Sequence, residues 1–438
     1  MKERVKILAS EFLEKSKNKE TYIISHFDTD GITSASIMIK TLKKLDRKFS
    51  IKIVKSLDED TIKNLPKNKL ILFLDLASNS LNYIENSGIE DVFIIDHHEI
   101  TQNIPENVRI INPELHDRQK ISASGLTYLF CMELTDIKEL AKLAVLGMIG
   151  DMLEKNLEKV NNQILNEAEI VKKRGLLIYP STRPLNRVLE FSSNPYIPGI
   201  TGNSDGVTNL LRETGITPKD GKYKSLIELD EKEMSQLVTS IMLKMPKTRY
   251  GESIIGDIFL LKFFNKLEDA RELSAMINAC SRLGDTETAM KLCMEIPEAK
   301  KKAESLHVKY KRFIIAGLDF VSKTEKIEGN GYVIINAREE IKDTMIGTIA
   351  SILSNSLLYE EGTAIITMAY YKNKIKVSSR NVGRSGRNVR EVLSMVISEI
   401  GGEVGGHEFA AGCIIDQEKE EIFIKNLKKI LDIEMIKI

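Results

Sequence analysis

The chain has 438 residues, 42% hydrophobic and 29% charged, with Lys+Arg and Asp+Glu balanced at 63 each. That length exceeds one ordinary core, and that composition belongs to a globular chain of two or three domains, not to a disordered one. The charge balance excludes the general basic coat of a non-specific duplex binder, so any nucleic-acid contact has to come from local patches. No run of eighteen apolar residues appears, which predicts no membrane span. The start, Met1-Lys2-Glu3-Arg4, runs directly into an amphipathic pattern at Val5, Leu8 and Phe12, without a signal-peptide block. Cys131, Cys280, Cys293 and Cys413 are scattered with no CxxC, as expected for reduced thiols in a cytoplasmic protein.

In chain order, residues 1–18 predict a helix, 21–25 a strand, Gly31 a turn and Thr33–Leu45 a helix. Lys52–Lys55, Leu70–Leu74 and Val92–Ile95 predict further strands at the spacing of βαβ units. Asn112-Pro113 starts a loop; Leu126–Leu134 and Ile137–Met148 predict helices, the second running into Ile149-Gly150-Asp151. Residues 1–185 thus read as an α/β parallel-sheet catalytic domain. Residues 186–206, with Pro195, Pro198, Gly199, Gly202 and Gly206, read as a Pro/Gly-rich connection. Residues 207–324 read as a mainly helical insert, and its lysine-rich stretch Lys300–Arg312 as a solvated helix face. Residues 325–438 read as a smaller C-terminal α/β domain, with strands at Gly331–Asn336, Thr363–Tyr370 and Ile375–Ser379.

Three apolar runs of the first block break off at an aspartate: Tyr22–Ser25 before His26-Phe27-Asp28-Thr29-Asp30, Leu70–Leu74 at Asp75, and Val92–Ile95 at Asp96-His97-His98. An open α/β sheet gathers its site at the carboxyl ends of its strands, where buried backbone meets solvent. His26, Asp28 and Asp30 share a parity, so an extended segment turns them to one side, and Gly31 then permits a sharp turn and close approach to a ligand. Each has a plainer role open to it: Asp30-Gly31 as a turn, Thr29 or Asp30 as a helix N-cap. Asp75 after five apolar residues is costly unless ligated or solvated. His97 can ligate a metal while His98 faces substrate, Asp96 can orient an imidazole, and Asp151 adds a last carboxylate. Oxygen ligands mixed with imidazole suit Mn2+ or Mg2+, and a pair of ions sharing a carboxylate and a hydroxide can clamp an in-line phosphoryl displacement.

The order Ser25-His26-x-Asp28-x-Asp30-Gly31, then Asp75, then Asp96-His97-His98, then Gly150-Asp151, with a distant Gly405-Gly406-His407-x-x-Ala410-Ala411-Gly412, resembles the DHH phosphoesterase family with its DHH-associated C-terminal domain. The resemblance implies metal-ligand roles for His26, Asp28, Asp30, Asp75, His97 and Asp151, with Asp75 bridging two ions. It also implies a catalytic role for His98 at the scissile phosphate or the leaving oxygen. Several branches of the family place the first histidine four residues before the first aspartate, where this chain has Ile24. Within the family, Pro195–Gly202 and Asn278-Ala279-Cys280-Ser281-Arg282 are similar to the archaeal RecJ-like nucleases, a group that includes the GINS-associated nuclease.

Arg380, Arg384, Arg387 and Arg390 fall within eleven residues, broken by Gly383 and Gly386, which predicts a loop leading into a helix. Their guanidinium forks suit the phosphates of a single strand; exposed arginines with no ligand are the plainer alternative. Gly405, Gly406 and His407 let backbone amides and an imidazole approach a phosphate, although Val404 stands where the family usually has a third glycine. Two lobes facing across a cleft would admit a flexible strand and exclude a duplex. Phe409, Tyr370 and Tyr371 could stack on bases but fit core packing better. The expected function is a Mn2+- or Mg2+-dependent exonuclease with two ions, acting on single-stranded DNA or RNA in replication, repair or RNA turnover. The alternatives are an oligoribonuclease or cyclic-dinucleotide phosphodiesterase, and a replication scaffold that binds GINS with little activity.

Overall fold

The computed structural model, which describes residues 1–116, 118–192, 197–244, 254–356 and 358–433, opens with helix α1 (Lys2–Asn18) and strand β1 (Thr21–His26). Helix α2 (Thr29–Lys44), β2 (Phe49–Val54), α3 (Glu59–Lys63), β3 (Leu70–Leu74), α4 (Leu81–Glu85), β4 (Val92–Ile95) and β5 (Val108–Ile111) follow. The five strands form a parallel sheet in the order β2-β1-β3-β4-β5. Along β3, Leu70, Leu72 and Leu74 enter one hydrophobic layer while Ile71 and Phe73 enter the other. Burial on both faces is why these strands read as unbroken apolar runs. Helices α1 and α2, with α5 (Ala123–Leu134) and α6 (Ala141–Gly150), supply the first layer, and α3 and α4 the second. The sequence reading placed no strand at 108–111: four residues beside the Asn112-Pro113 break carry too little pattern. The parallel order brings the carboxyl ends of β1, β3, β4 and β5 to one edge, with β3 between β1 and β4.

Next come α7 (Lys159–Glu167), β6 (Val171–Leu176), α8 (Leu185–Glu190), α9 (Ser204–Glu213), α10 (Glu231–Lys244), β7 (Ile255–Phe263), β8 (Lys266–Asp269), α11 (Ala270–Arg282) and α12 (Thr286–Cys293). Strands β6, β7 and β8 form an antiparallel sheet with β7 in the middle. Ile258 and Leu260 of β7 join a cluster with Leu185, Ile200, Leu211 and Leu237, whereas Phe259, Leu261 and Phe263 join the core beside α2 and α6. The structure therefore groups the middle of the chain differently from the sequence reading. The described part of 186–206 is core-forming, with Leu189, Ile197 and Ile200 buried. The mainly helical segment 207–324 also contributes two strands and, through α11 and α12, completes the first domain's core. The stretch Ile258–Leu261 of β7, buried on both faces, shows no period-2 alternation to read.

The chain divides into two compact units, 1–307 and 308–438, with the boundary inside α13 (Pro297–Lys323). In the lysine-rich part of α13, Lys300 pairs with Glu268 and Lys302 with Asp285 at 2.7 Å, so the stretch is a charged helix face. The second unit continues with β9 (Ile327–Gly329), β10 (Tyr332–Asn336), α14 (Asp343–Ser354), β11 (Ala364–Tyr371), β12 (Lys374–Asn381), α15 (Val389–Ile400), β13 (Glu403–His407), β14 (Ala410–Asp416) and α16 (Glu420–Leu431). Its mixed sheet runs β13-β14-β12-β11-β10-β9, with only β10 and β11 parallel. Helices α15 and α16 bury Leu393, Val396, Phe423 and Leu427 against one face, and α14 lies over β11 and β12. The α/β class expected from sequence is the one observed: a parallel-sheet domain, a largely helical middle and a smaller C-terminal sheet domain. Among the described residues no helix is long and apolar enough to cross a membrane, and all four cysteines are buried and unpaired.

Candidate metal centre

The site starts where β1 ends. Asp28 is the N-cap of α2, its Oδ1 accepting the Gly31 N–H at 3.1 Å. That leaves its Oδ2 facing His26 Nδ1 at 3.1 Å. A Cβ at Gly31 would lie 2.2 Å from the His26 carbonyl oxygen, so this glycine serves the chain's own tight turn, not a ligand's approach. Asp30, 1% exposed in the first turn of α2, accepts the N–H groups of Ala123 at 2.6 Å and Ser124 at 2.9 Å. These are the first amides of α5, so a helix N-terminus holds the Asp30 carboxylate.

Asp75 follows β3 with φ +60 and 2% exposure. Its Oδ2 is 3.3 Å from His26 Nδ1, while its Oδ1 is 3.4 Å from His97 Nε2 and 4.0 Å from His98 Nδ1. His97 Nε2 also lies 3.5 Å from Asp151 Oδ2 and 3.9 Å from Asp30 Oδ2. Among the described residues three groups with metal-ligand spacing result, His26–Asp28–Asp75, Asp75–His97–His98 and Asp30–His97–Asp151, the middle one sharing Asp75 with the first and His97 with the last. His26 is therefore in place, while Ile24 is wholly buried in the opposite hydrophobic layer. Asp151 caps α6, which closes on α2 because Gly147 and Gly150 carry no side chain. A Cβ at Gly147 would lie 2.1 Å from Ser124 Oγ and 2.4 Å from Asp30 Oδ1.

Burial, and then the charge of Asp75, pushes the Asp30 carboxyl up to about 6. Asp151 is raised well above the carboxylate range, by burial first and by Asp30 and Asp75 next. Burial opposes protonation of His97, yet the close Asp75 carboxylate and the nearby Asp30 charge carry it to about 9. His26 is likewise raised against its burial, by Asp28 and Asp75. Asp28 and Asp96 are held low despite burial, Asp28 by His26 and Asp96 by His98. Asp75 Oδ1 and Asp151 Oδ2 are buried and accept no hydrogen bond, a cost of about 1–3 kcal/mol each when left so. Buried carboxylates with raised pKa values, set with imidazole nitrogens at ligand spacing, fit a hard divalent cation.

Asp96, fully buried, organises the segment that carries His97 and His98. Its Oδ2 accepts the Ser78 N–H at 3.0 Å, and its Oδ1 accepts the His97 N–H at 2.8 Å and His98 Nδ1–H at 2.7 Å. The imidazole it orients is that of His98, whose side chain is 42% exposed. The sequence reading attached no role to Arg282, whose guanidinium lies 5.4 Å over the Phe27 ring between His26 and Asp28. Only the Asn278–Arg282 resemblance pointed there. Pro195 and Tyr196, part of the other such segment, lie outside the described residues.

In the second unit, the expected glycine-rich loop is an edge hairpin. Gly405 pairs with Gly412, Gly406 with Ala411 and His407 with Ala410. Gly406 has φ +113, and a Cβ there would lie 2.3 Å from the Ala410 carbonyl oxygen. Gly405 faces open space, and His407 is exposed. The arginines separate by task. Arg387 Nη2 donates to the carbonyls of Leu431 at 2.7 Å and Ile433 at 2.8 Å, capping α16. Arg387, expected to grip phosphate, thus commits Nη2 to the fold. Arg380 lies on β12 opposite Ala410 and donates from Nε to Ser351 Oγ at 3.0 Å, and Arg384 is exposed.

A parallel sheet that ends three strands in a shared carboxylate–imidazole cluster, followed by a mixed-sheet domain with a Gly-Gly-His edge hairpin, defines a DHH phosphoesterase, and the chain belongs to the RecJ-like members of that family. Residues 20–149 match the DHH family N-terminal domain, 178–258 the DHH-CID domain and 330–432 the DHHA1 domain. An uncharacterised protein of Methanocaldococcus jannaschii is 30% identical over 95% of both chains. The single-stranded-DNA-specific exonuclease RecJ of Bacillus subtilis is 27% identical over 157 residues, 32% of this chain and 20% of that one. Among solved structures, RecJ of Thermus thermophilus in complex with Mn2+ is similar at TM-score 0.62 and 18% identity, covering 97% of this chain and 54% of that one. CDC45 of Entamoeba histolytica is similar at TM-score 0.68 and 12% identity, over 98% and 99% of the two chains. The chain thus spans about half of the Thermus protein and a fifth of the Bacillus one.

Proposed function

We propose that this protein is a divalent-metal-dependent exonuclease for single-stranded DNA or RNA, built for two ions. The observation that carries the reading is Asp75, whose two oxygens face different ligand groups 3.3 Å and 3.4 Å away. His26, Asp28 and Asp75 would hold one ion; Asp75, His97, Asp30 and Asp151 the other. Divalent cations there supply charge stabilisation of the phosphoryl oxygens and activate water at neutral pH. Mn2+ is favoured by the mixed oxygen and imidazole donors and by the Thermus RecJ complex; that protein was also solved with Mg2+.

The chain's own residues do the rest. Asp96 fixes His98 with Nδ1 protonated, turning the ring's other nitrogen toward substrate, where it bonds a phosphate oxygen or returns a proton to the leaving oxygen. Arg384, Arg380, His407 and the amides of Gly405 and Gly406 grip phosphates of the strand beyond the scissile bond. The Bacillus relative's single-strand specificity supports this substrate class. Incubating 5′- and 3′-labelled single-stranded DNA and RNA with Mn2+, with Asp75→Ala as control, tests it. Stepwise shortening lost in the variant is expected; undiminished cleavage by Asp75→Ala would overturn the two-ion reading. Rapid turnover of dinucleotides with no attack on longer strands would replace it with the phosphodiesterase alternative. The likeness to CDC45 favours a second reading, a replication scaffold that binds GINS. Retention of purified GINS on the immobilised protein, with no cleavage of any strand, would establish that one instead.

A further inference from the structure

We propose that Asn112 is a positioning residue for His98, holding it through a closed circuit of hydrogen bonds across three strand ends; this rests on the reading of His98 as a group that touches the substrate phosphate. Asn112, wholly buried, directly follows β5. Its Nδ2 donates to the His98 carbonyl at 2.8 Å and to Ser78 Oγ at 3.1 Å. The Ser78 N–H donates to Asp96 Oδ2 at 3.0 Å, and Asp96 Oδ1 accepts His98 Nδ1–H at 2.7 Å. The circuit His98–Asn112–Ser78–Asp96–His98 thus ties the segments after β3, β4 and β5 together.

The amide's orientation is fixed by its other end, because Asn112 Oδ1 accepts the Glu114 N–H at 2.9 Å. Flipping the group would set an NH2 against that N–H and an oxygen against the His98 carbonyl. Both donors of Asn112 are therefore committed to the segments that carry His98 and Ser78. His98 needs such a hold: with its side chain 42% exposed, packing alone does not fix its ring. Its N–H also donates to Asp96 Oδ1 at 3.3 Å, so its backbone is held on both sides and its ring by Asp96. A group that bonds a reacting phosphate has to sit within about 0.5 Å of its productive place. An aspartate or alanine at 112 supplies no donor, so the His98 carbonyl loses its tether.

The test uses Mn2+-loaded full-length protein and a labelled single-stranded oligonucleotide, comparing Asn112→Asp and Asn112→Ala with wild type. Either variant is expected to lower kcat by about 10–100-fold, with KM and Mn2+ affinity by calorimetry unchanged. Adding His98→Ala to either variant should cost little more, since both changes remove one device. A merely structural Asn112 would lower Tm while His98→Ala kept its full cost in the variant background, and that outcome overturns the proposal. Unchanged kcat in a folded variant overturns it too. A second arm needs no activity: in 15N-histidine-labelled protein, the His98 Nδ1–H resonance, assigned with His98→Gln, should exchange slowly in wild type and broaden in the variants. An unmoved resonance counts against the circuit. If neither variant folds, the conservative Asn112→Gln, which keeps both amide groups but moves the donor by one methylene, takes their place, and an unshifted His98 resonance with unchanged kcat there overturns the proposal. If wild type cleaves no strand, the proposed function fails while the resonance arm still decides the role of Asn112.

Discussion

A carboxylate in left-handed backbone at 2% exposure is costly twice: for the conformation, about 1–3 kcal/mol, and for an unpaired buried oxygen. Asp75 bears both costs, and a cation that bound only the folded chain would offset them. Asp75→Asn keeps the volume and removes the charge. Wild type with Mn2+ at a hundred times its Kd should gain about 2.7 kcal/mol of stability, and thermal unfolding with and without Mn2+ should show that gain vanish in Asp75→Asn. The arginines offer a contrast at the same scale. Arg387→Ala removes two bonds to the end of α16 and should destabilise the protein by about 1–3 kcal/mol, read by denaturant unfolding. Arg384→Ala should leave stability alone, weaken single-strand binding and flatten its salt dependence by about one charge. In sequence the two looked alike. Only the position of Leu431 and Ile433, more than forty residues on, separates them.

Among the elements, α6 decides how tightly the centre closes. Gly147 lets it approach α2 until Asp30 Oδ1 and Ser124 Oγ occupy the space of a side chain. Gly147→Ala should cost about 1–3 kcal/mol and also lower Mn2+ affinity, measured by titration calorimetry. Gly405→Ala, which points a methyl into open space, should fold as wild type does. Strands β1, β3 and β4 were legible because burial on both faces leaves an unbroken apolar run ending at a polar residue. The hairpin β13–β14 was not: Gly-Gly-His reads as a loop on composition, and only pairing with β14 and β12 makes it a strand.

For the whole molecule, the centre couples metal, protons and stability. His26, His97 and His98 all have raised pKa values in the metal-free fold, His97 to about 9. The stability they contribute is complete below the unfolded imidazole value and is lost as pH rises through the folded one. Asp30, raised to about 6, opposes folding once it ionises, so its unfavourable effect is already complete above that value. Chelator-treated protein should therefore lose Tm as pH is raised from about 6.5 to 9. Cation binding has to displace the protons of His26 and His97, so Mn2+ affinity should rise over that window with proton release. The gap in Tm between loaded and chelated protein then widens with pH; calorimetry in buffers of different ionisation enthalpy measures the released protons. A gap that narrows would contradict the assignment of these groups as ligands.

Sequence by itself determined the candidate site residues and their order, because a carboxylate or a histidine pair after a buried strand is a local signal with few cheap explanations. It also carried the α/β class, since strand burial and helix period are local patterns. Only the tertiary structure decided which partner each group meets. Asp96 turns to His98, Asp30 is held by the first amides of α5, Arg387 Nη2 caps α16, and Asn112 reaches the His98 carbonyl. Those pairings join residues brought together by strand order, helix packing and backbone turns, and donor–acceptor geometry at 3 Å is not encoded in residue type.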